Sequence, residues 1–249
     1  MRVAALYDIH ANLPALEAVL KDIRLAEVDY VVVGGDVLPG PMPGETLACL
    51  CDLDLPVKFI HGNGERVVLA QMAGKDISEV PERHREVIRW TTEQLRPGHA
   101  ALLASWPATC KVEIRGLGEV LFCHATPRND SEIFTRLTPE DRLAPAFAGV
   151  SVPLVICGHT HMQFDRRIGR VRVVNAGSVG MPFSQPQGAY WLLIGPEIRL
   201  RRTAYDFTNA AERIRNTDYP QAEEFSVRYV LHPPTETETL ELFAPAELR

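Results

Sequence analysis

Short apolar runs, each followed by a polar turn, are the feature that most constrains how this chain can fold. In the first third of the chain such runs occupy residues 2–7, 30–33 and 57–60, and we predict a strand at each of them. Helical patterns follow these turns, beginning after Asn12 and Pro14, near Gly44 and near Glu65. Strands that alternate with helices in this way form right-handed crossovers, so the pattern predicts an α/β fold with a largely parallel sheet.

A second set of apolar runs lies in the later part of the chain. We predict strands at residues 119–123, 154–157, 171–174 and 190–194, with a hairpin partner for the last of them at 198–203. Less helix separates these strands than separates the first three, so we assign them to a second sheet that is mixed or antiparallel. A short helix is predicted at residues 207–215.

Residues 74–108 have a different character. They carry helical patterning at 82–90 and 93–106, interrupted at Pro97 and Gly98. We interpret this stretch as a helical insertion that leans over the site, within a single domain that spans residues 1–249. The residues after Pro233 alternate between polar and apolar, which fits either an edge strand or a loosely docked end, and the sequence does not decide between them.

Composition narrows the classes of function. Hydrophobic residues make up 46% of the chain and charged residues 23%, which is ordinary for a globular protein with a sizeable core. The formal net charge of -6 argues against a protein that binds duplex nucleic acid. It does not exclude a small anionic substrate, because bound metal cations can reverse the charge locally. We expect no membrane partner, since no apolar stretch is long enough to span a bilayer, and the sequence leaves open whether the chain forms a homo-oligomer.

The cysteines indicate a reducing compartment. There are 5 of them, and their spacing matches neither a disulfide framework nor a CxxC pair, so we expect free thiols and a cytoplasmic location. Cys123 and Cys157 lie inside apolar runs and are interpreted as buried core residues. The first apolar run breaks at Asp8, which is too early for a signal peptide.

Polar side chains with metal-binding chemistry follow the predicted strands at the point where each strand ends. In open α/β sheets, binding sites form in the crevice beyond the carboxyl ends of the strands, so these side chains are expected to converge on one rim. The candidate metal ligands are Asp8, His10, Asp36, Asn63, His124, His159 and His161.

The spacing of these residues fits a metal centre. The pairs Asp8 and His10, and His159 and His161, are each two residues apart, so in extended backbone both members would point towards one centre. Asp36 lies in a glycine-flanked turn and its carboxylate suits a bridging position between two cations. Mixed imidazole and carboxylate ligands favour first-row transition metals over magnesium. Two such ions about 3.5–4 Å apart would hold a hydroxide and clamp a phosphoryl group for in-line attack.

Five ordered segments carry a resemblance to a known family. DIHAN, GGDV, GNGE, CHATP and CGHTH resemble the motifs of the calcineurin-like metallophosphoesterases, whose pattern is approximately D-x-H, G-D, G-N-H-[DE], H and G-H-x-H. The similarity runs from residue 1 to about 206. It is greatest to the small bacterial and archaeal phosphodiesterase branch, where a segment like NAGSV also appears.

The resemblance implies a fold, a ligand set and a reaction. The fold would be a four-layer α/β/β/α sandwich with two mixed sheets. The reaction would be hydrolysis of a phosphate ester by a hydroxide that bridges two divalent ions, most typically Mn²⁺, with Fe, Zn or Ni as the other options. Carried over residue by residue, the ligands would be Asp8, His10 and His161 for one ion, Asn63, His124 and His159 for the second, and Asp36 between the two.

One departure from the family pattern bears on the chemistry. Position 64, where the family has a histidine after the metal-binding asparagine, is Gly64. That histidine is usually credited with assisting the leaving group, so the group that would act as general acid is open. His61 is close in sequence, but a residue two positions before Asn63 need not reach a substrate.

Several further residues each admit two interpretations. Arg128, in HATPR, could grip a phosphate group or form a surface ion pair. Asn12 could contact substrate or cap a helix; Asn175 and Ser178 could line the site or stabilise a turn. The residues interpreted as core rather than as a substrate platform are Trp90, Trp106 and Trp191, and those interpreted as surface residues are His84, His99 and His232.

The sequence therefore predicts a dinuclear, metal-dependent phosphoesterase that acts on phosphodiesters or activated esters. Asp36, Asn63 and His124 would contribute to catalysis through metal ligation, and Arg128 through contact with the phosphate group. Two alternatives stay open. The first is a binding or scaffold protein with this fold, which Gly64 would permit, and the second is a metal-dependent nuclease, which the acidic net charge disfavours.

Overall fold

A computed structural model describes residues 1–78 and 80–248, and within them the strands form two five-stranded sheets. The first sheet has three parallel strands, β1 (Val3–Leu6), β2 (Tyr30–Val33) and β3 (Val57–Phe59). A hairpin of β9 (Ala189–Ile194) and β10 (Ile198–Thr203) completes it, with β9 antiparallel to β1. The strand order is β10-β9-β1-β2-β3.

The assignment of the last two strands to the second sheet is wrong. Both belong to the first sheet, where β9 pairs with β1 in a register that places Ala4 opposite Leu193. Trp191 and Leu192 of β9 are both fully buried although they point to opposite faces, and the same holds for Val173 and Val174 in the second sheet. A strand that is apolar on both faces suits the interior of a covered sheet, whereas order along the chain says nothing about which sheet receives it.

The second sheet also has parallel strands at its centre. Its strands are β4 (Thr109–Ile114), β5 (Gly118–Cys123), β6 (Leu154–Cys157), β7 (Gln163–Ile168) and β8 (Val171–Ala176), in the order β4-β5-β6-β8-β7. The inner three run parallel, and β4 and β7 are antiparallel edges. Strands β4 and β7 are not among the predicted strands, because TCKVEI and QFDRRI carry charged residues and lack the apolar runs that mark the central strands.

Helices cover the outer faces of the two sheets. They are α1 (Leu13–Leu25), α2 (Pro43–Cys51), α3 (Asn63–Met72), α4 (Glu82–Gln94), α5 (Pro97–Ala104), α6 (Glu140–Phe147), α7 (Phe207–Arg215), α8 (Ala222–Phe225) and α9 (Glu236–Phe243), with a π-helical turn at Ser226–Leu231. Asn12 caps α1 by accepting a hydrogen bond from the amide of Ala15 at 3.2 Å, as one of its two interpretations predicts. Pro97 opens α5, where its fixed φ and missing N–H are tolerated, and this explains the interruption seen in the sequence.

The packing gives four layers, which confirms the fold implied by the family resemblance. Side chains of β1 alternate: Val3 and Ala5 pack between the two sheets, while Ala4 and Leu6 pack under the helices of the first outer layer. On the far side of the second sheet, Val155 and Val173 pack against α6 and its neighbours. The order is therefore helices, sheet, sheet, helices.

The segment at 74–108 contributes to the first helical layer. Ile88 of α4, Leu103 of α5 and Trp106 are all buried in the cluster that covers the first sheet. The interpretation of this stretch as an insertion in a single domain stays a prediction. Trp106 and Trp191 are buried, which confirms the core interpretation for these two residues, and Trp90 is partly buried.

The tail forms a helix, so neither an edge strand nor a loosely docked end describes it. Thr235 and Glu238 form a capping box, in which the threonine hydroxyl accepts from the amide of Glu238 and the glutamate carboxylate accepts from the amide of Thr235. These paired bonds satisfy helix-start donors, and helix α9 follows. After the helix, the amide of Leu248 donates to the carbonyl of Ile133 at 3.0 Å and joins the tail to the body.

The structure shows the state of the cysteines and the length and polarity of the helices. Cys123 and Cys157 are buried in the core that lies against α6, as predicted. All five cysteines are free thiols. In the described part of the chain, each helix is too short or too polar to cross a bilayer.

Candidate metal centre

The seven predicted ligand side chains meet at one rim, beyond the carboxyl ends of β1, β2, β3, β5 and β6. Their ligand atoms fall into two groups, within each of which all atoms lie within 4.8 Å of one another. The first group is Asp8, His10 and His161, and the second is Asp36, His124 and His159. Asn63 joins the second group, because its side-chain oxygen lies 3.1 Å from Nε2 of His124.

Asp36 lies between the two groups. Its Oδ1 is 3.5 Å from Nε2 of His124, and its Oδ2 is 3.9 Å from Nε2 of His10. One carboxylate therefore faces a histidine of each group. This is the position that the sequence analysis assigned to a bridging carboxylate.

The backbone is left-handed at five of the candidate ligands. Seven non-glycine residues of the described chain have positive φ angles, and five of them are candidate ligands, with φ of 52° at Asp8, 46° at His10, 50° at Asp36, 69° at His159 and 58° at His161. The expectation that the i, i+2 pairs lie in extended backbone is therefore wrong. Non-glycine residues in this region cost about 1–3 kcal/mol each and cluster where function constrains the backbone.

Hydrogen bonds between loops hold this backbone in place. The amide of Asp8 donates to the carbonyl of Gly35 at 3.1 Å, and the amide of His10 donates to the carbonyl of Asp36 at 2.9 Å. The turns after β1 and β2 therefore fix each other. The tight left-handed turns direct Asp8 and His10 to one group, although the pair does not follow an extended path.

The pair His159 and His161 divides between the two groups, contrary to the argument from spacing. His161 joins Asp8 and His10, whereas His159 joins Asp36 and His124. The backbone amide of His159 donates to Oδ2 of Asp8 at 2.9 Å, which fixes the loop after β6 against the loop after β1. Gly158 makes this approach feasible, since a Cβ atom there would lie 2.5 Å from the same Asp8 oxygen.

Three of the imidazole rings are oriented by backbone carbonyl groups. A carbonyl oxygen can only accept, so each Nδ1 in contact with one carries the proton, and Nε2 faces the centre. The acceptors are Pro39 for His10 at 3.3 Å, Gly34 for His124 at 3.0 Å and Met181 for His161 at 2.6 Å. Such outer contacts are the usual means of orienting a metal-binding histidine.

Two features of the centre fit a cation. Oδ1 of Asp8 is buried, lies 3.3 Å from Nε2 of His161 and accepts no hydrogen bond from the described residues, which is costly for a carboxylate oxygen unless a positive charge is nearby. The Nε2 atoms of His10 and His161 face each other at 3.2 Å, so two neutral rings would oppose their lone pairs without a shared proton or cation. The donor set of imidazole nitrogen, carboxylate oxygen and amide oxygen is typical of a divalent transition-metal site.

The charges of the metal-free centre are strongly coupled. Burial alone would raise the pKa of Asp8, but His161 and His124 lower it below its usual value. Burial also opposes ionisation of Asp36, yet the neighbouring imidazole of His124 holds the pKa of Asp36 far below its usual range. Burial would lower the pKa of His124, but Asp36 outweighs it and raises that pKa to about 10. Burial and then His124 lower the pKa of His159 to about 4.

Glu65 is a functional residue that the sequence analysis did not single out. Its buried carboxylate accepts hydrogen bonds from three backbone amides, those of Asp36 at 2.8 Å, Leu38 at 2.9 Å and Gly62 at 2.8 Å. Burial and then the charge of Asp36 raise its pKa to about 7, against the lowering effect of these donors. Glu65 thus fastens the Asp36 turn to the start of α3, and the acidic residue in GNGE was the available signal.

The space around Gly64 explains why a histidine is absent there. A Cβ atom at this position would lie 2.1 Å from the carbonyl oxygen of Leu38 and 2.9 Å from Oδ1 of Asp36. The amide of Gly64 also donates to Oδ1 of Asp36 at 2.7 Å. Gly64 lies in the first turn of α3, so the restriction is the close approach of the Leu38 carbonyl.

The remaining candidates join neither ligand group. Arg128 is half exposed and forms an ion pair with Glu132 at 2.7 Å. The turn interpretation holds for Asn175, which donates to the carbonyl of Gly158 at 2.7 Å, and for Ser178, which donates to the carbonyl of Asp8 at 2.7 Å. These two residues therefore support the loops that carry ligands. The other histidines are His61, partly buried with Nδ1 3.4 Å from the carbonyl oxygen of Gly62, the exposed His84 and His232, and the partly buried His99.

The two-sheet sandwich and the two ligand groups define the class of the protein, and comparison with known families identifies the superfamily. Residues 1–194 match the model of the calcineurin-like phosphoesterase superfamily domain. The match covers more than half of the chain, and the protein belongs to this superfamily.

Individual relatives extend the similarity towards the C-terminus. The uncharacterized protein MJ0912 of Methanocaldococcus jannaschii is 28% identical over 239 residues, which cover 88% of this chain and 94% of the relative. The crystal structure of a metallophosphoesterase from Sphaerobacter thermophilus superposes with a TM-score of 0.74 at 26% identity, over 94% of this chain and 99% of that one. The hypothetical protein PH1004 from Pyrococcus horikoshii has the same fold, with a TM-score of 0.78 at 20% identity and the same coverage.

Proposed function

We propose that the protein hydrolyses phosphate esters, and in particular phosphodiesters or activated esters, with two divalent transition-metal ions, of which Mn²⁺ is favoured. The observation that carries the proposal is the pair of adjacent ligand groups with the Asp36 carboxylate between them. Two bound ions would supply Lewis-acid activation of water and neutralisation of the phosphoryl oxygens.

The chain's own residues would bind and orient these ions. Asp8, His10 and His161 would hold one ion, Asn63, His124 and His159 the other, and Asp36 would contact both. Only two of these ligands are carboxylates, so two divalent ions would leave the centre positive. A phosphate ester would be attracted to this centre in spite of the formal net charge of -6.

Position 64 shapes the expected substrate preference. A poor leaving group needs a proton in the transition state, and a positioned general acid contributes about 10²–10⁴-fold to the rate. The Leu38 carbonyl leaves no room for a side chain at Gly64. The site therefore favours esters with acidic leaving groups, such as aryl phosphodiesters, over simple alkyl monoesters.

Hydrolysis of bis(p-nitrophenyl) phosphate by Mn²⁺-loaded protein tests the proposal. Asp36→Asn keeps an oxygen that can accept from the Gly64 amide and removes the charge between the two groups, so hydrolysis should fall by more than about 100-fold. His84→Ala, at an exposed histidine, is the matched control and should hydrolyse at the parent rate. Metal content is measured on each variant by elemental analysis.

The same assay identifies the scaffold alternative. If the parent binds two equivalents of metal and hydrolyses none of a panel of aryl and alkyl esters, the protein uses this fold for binding. If Asp36→Asn hydrolyses as fast as the parent, the activity comes from elsewhere and the proposal is refuted.

A further inference from the structure

Three aromatic rings form a continuous cluster beside the first ligand group, and we call Phe183, Tyr229 and Phe243 the aromatic platform. The ring of Phe183 lies 4.6 Å from the ring of His161, at an interplanar angle of 32°. The rings of Tyr229 and Phe243 lie 6.2 Å and 6.1 Å from that of Phe183. The platform thus begins at a candidate metal ligand and extends away from the centre.

The platform is assembled from two parts of the chain. Phe183 lies in the loop after β8, whereas Tyr229 and Phe243 lie beyond residue 194, where the match to the family model ends. The side-chain Nε2 of Gln185 donates to the carbonyl of Pro233 at 2.9 Å and joins the two parts. The C-terminal segment therefore brings its own side chains to a centre that the family domain builds.

All three platform rings keep contact with solvent. Each is only partly buried, whereas Phe122, Phe134 and Trp191 in the main cores are fully buried. Tyr229 also packs against Phe225, with their ring centres 5.4 Å apart, but each of the three rings leaves part of its surface exposed at one rim. Partly exposed flat rings beside a polar centre are typical of sites that stack a planar group.

The charge around the platform adds a second indication. The guanidinium of Arg228 lies 5.7 Å from the ring centre of Tyr229 and 3.7 Å from the carboxylate of Glu224, and its side chain is about half exposed. Arginine beside stacking aromatic rings is a recurrent arrangement in sites for nucleobases, where the guanidinium contributes a further planar, positively charged surface. An aliphatic group on the phosphate would stack neither on the flat faces of the platform rings nor on the guanidinium of Arg228.

We propose that the aromatic platform binds a planar ring carried by the phosphate ester. The biological substrates are therefore phosphate esters of nucleosides, or of other alcohols that carry a planar aromatic ring. This inference rests on the proposed function, because it places the phosphoryl group at the two ligand groups and the ring on Phe183. The platform residues contact the organic part of the substrate and determine specificity. They take no part in bond cleavage.

Two substrates with the same leaving group test the inference. The p-nitrophenyl ester of thymidine 5′-phosphate and methyl p-nitrophenyl phosphate both release p-nitrophenolate, and they differ in whether the retained group carries a base. For Mn²⁺-loaded parent protein, kcat/KM should be higher for the thymidine ester. Phe183→Leu keeps an apolar side chain on His161 but removes the flat ring, and should reduce that preference by about tenfold, within the range of one base–aromatic stack.

A control on the same helix separates specificity from structure. Leu242→Ala changes an exposed neighbour of Phe243, 63% accessible, and should leave the ratio of the two kcat/KM values unchanged. Phe243→Leu offers a second test away from the ligands, in case Phe183→Leu disturbs His161. Metal content and the thermal midpoint are measured for all variants. If the platform were purely structural, its substitution would lower kcat/KM equally for both esters and would shift the thermal midpoint.

A binding measurement provides a readout that does not depend on turnover. Thymidine 5′-monophosphate should bind to the metal-loaded parent more tightly than methyl phosphate, and Phe183→Leu and Phe243→Leu should remove most of this difference. If the parent hydrolyses both esters with equal kcat/KM and binds both phosphates equally, the platform inference is refuted while the proposed function stands. If the parent binds two metals and hydrolyses neither ester, the proposed function fails, and only a retained preference for the nucleotide would support the platform.

Discussion

Substitution of Gly64 by alanine is the sharpest test of how tightly the centre is built. The new Cβ atom would lie 2.1 Å from the carbonyl oxygen of Leu38, whereas real Cβ contacts hardly ever fall below 3.0 Å. The Leu38 carbonyl or the first turn of α3 would therefore have to move by about 1 Å. The movement cannot be absorbed by a flexible side chain, because the opposing atom belongs to the backbone.

The expected cost follows from the crowding. Overpacking of this kind costs about 1–3 kcal/mol of stability. Gly98 offers a matched control, because it occupies the second position of α5 as Gly64 does in α3, and a Cβ atom there would meet nothing within 4 Å. Gly98→Ala should be neutral or stabilise by about 0.4–1 kcal/mol through the unfolded chain. The two variants should therefore differ by about 1–4 kcal/mol.

Urea denaturation of both metal-free variants measures this difference, and metal titration measures its effect on the centre. Gly64→Ala should also weaken metal binding, since the amide of Gly64 donates to Oδ1 of Asp36. If Gly64→Ala is as stable as Gly98→Ala and binds metal like the parent, the assigned crowding is wrong. The same reasoning applies to Gly64→His. This variant should be less stable than the parent, and its ratio of alkyl to aryl hydrolysis should be no higher than that of the parent.

Three further outcomes follow from the charges of the centre. Glu65→Gln loses an acceptor for backbone amides and should lower the free energy of unfolding by about 1–3 kcal/mol, with the exposed Glu113→Gln as an unaffected control in the same denaturation assay. Asp36 raises the pKa of His124 to about 10, so His124 of the metal-free protein carries a proton near pH 8, and metal binding should release this proton. Calorimetry in two buffers of different ionisation enthalpy measures the proton release. Metal binding without proton release would contradict this assignment. The stabilisation from this raised pKa is present below about pH 6.5 and is lost as the pH rises through the folded value. Mn²⁺ at about 100 times its Kd should add about 2.7 kcal/mol to the free energy of unfolding, and Asp36→Asn should lose most of that gain.

The sequence predicted the central strands and the convergence of the ligands because both depend on local pattern. Runs such as LVIC and YVVV are apolar at every position and are buried in parallel sheets. The carboxyl ends of such strands meet at one rim whatever the details of the loops, so the seven side chains could be located before their contacts were known.

The rest depended on contacts between distant parts of the chain. The apolar residues around Trp191 indicate an inner strand, but they do not indicate that it pairs with β1, because Val173 and Val174 of the second sheet are buried on both faces in the same way. The left-handed backbone at His159 and His161 reverses the argument from i, i+2 spacing and is imposed by contacts with the loop after β1. By contrast, the capping box of Thr235 and Glu238 was visible in the sequence and should have indicated helix α9.

The strain at the centre also bears on how it would bind metal. Five left-handed ligand residues, and the buried Oδ1 of Asp8 that accepts no hydrogen bond from the described residues, together cost several kcal/mol. The structure tolerates them because β1 and the turn after β2 are anchored in buried sheet, and because Glu65 and the carbonyl contacts fix the ligands from outside. The Nε2 atoms therefore face the centre before any cation arrives. A centre arranged in advance would lose little conformational entropy on binding, so a cation would not have to supply the free energy that the strained backbone costs, because folding has already supplied it.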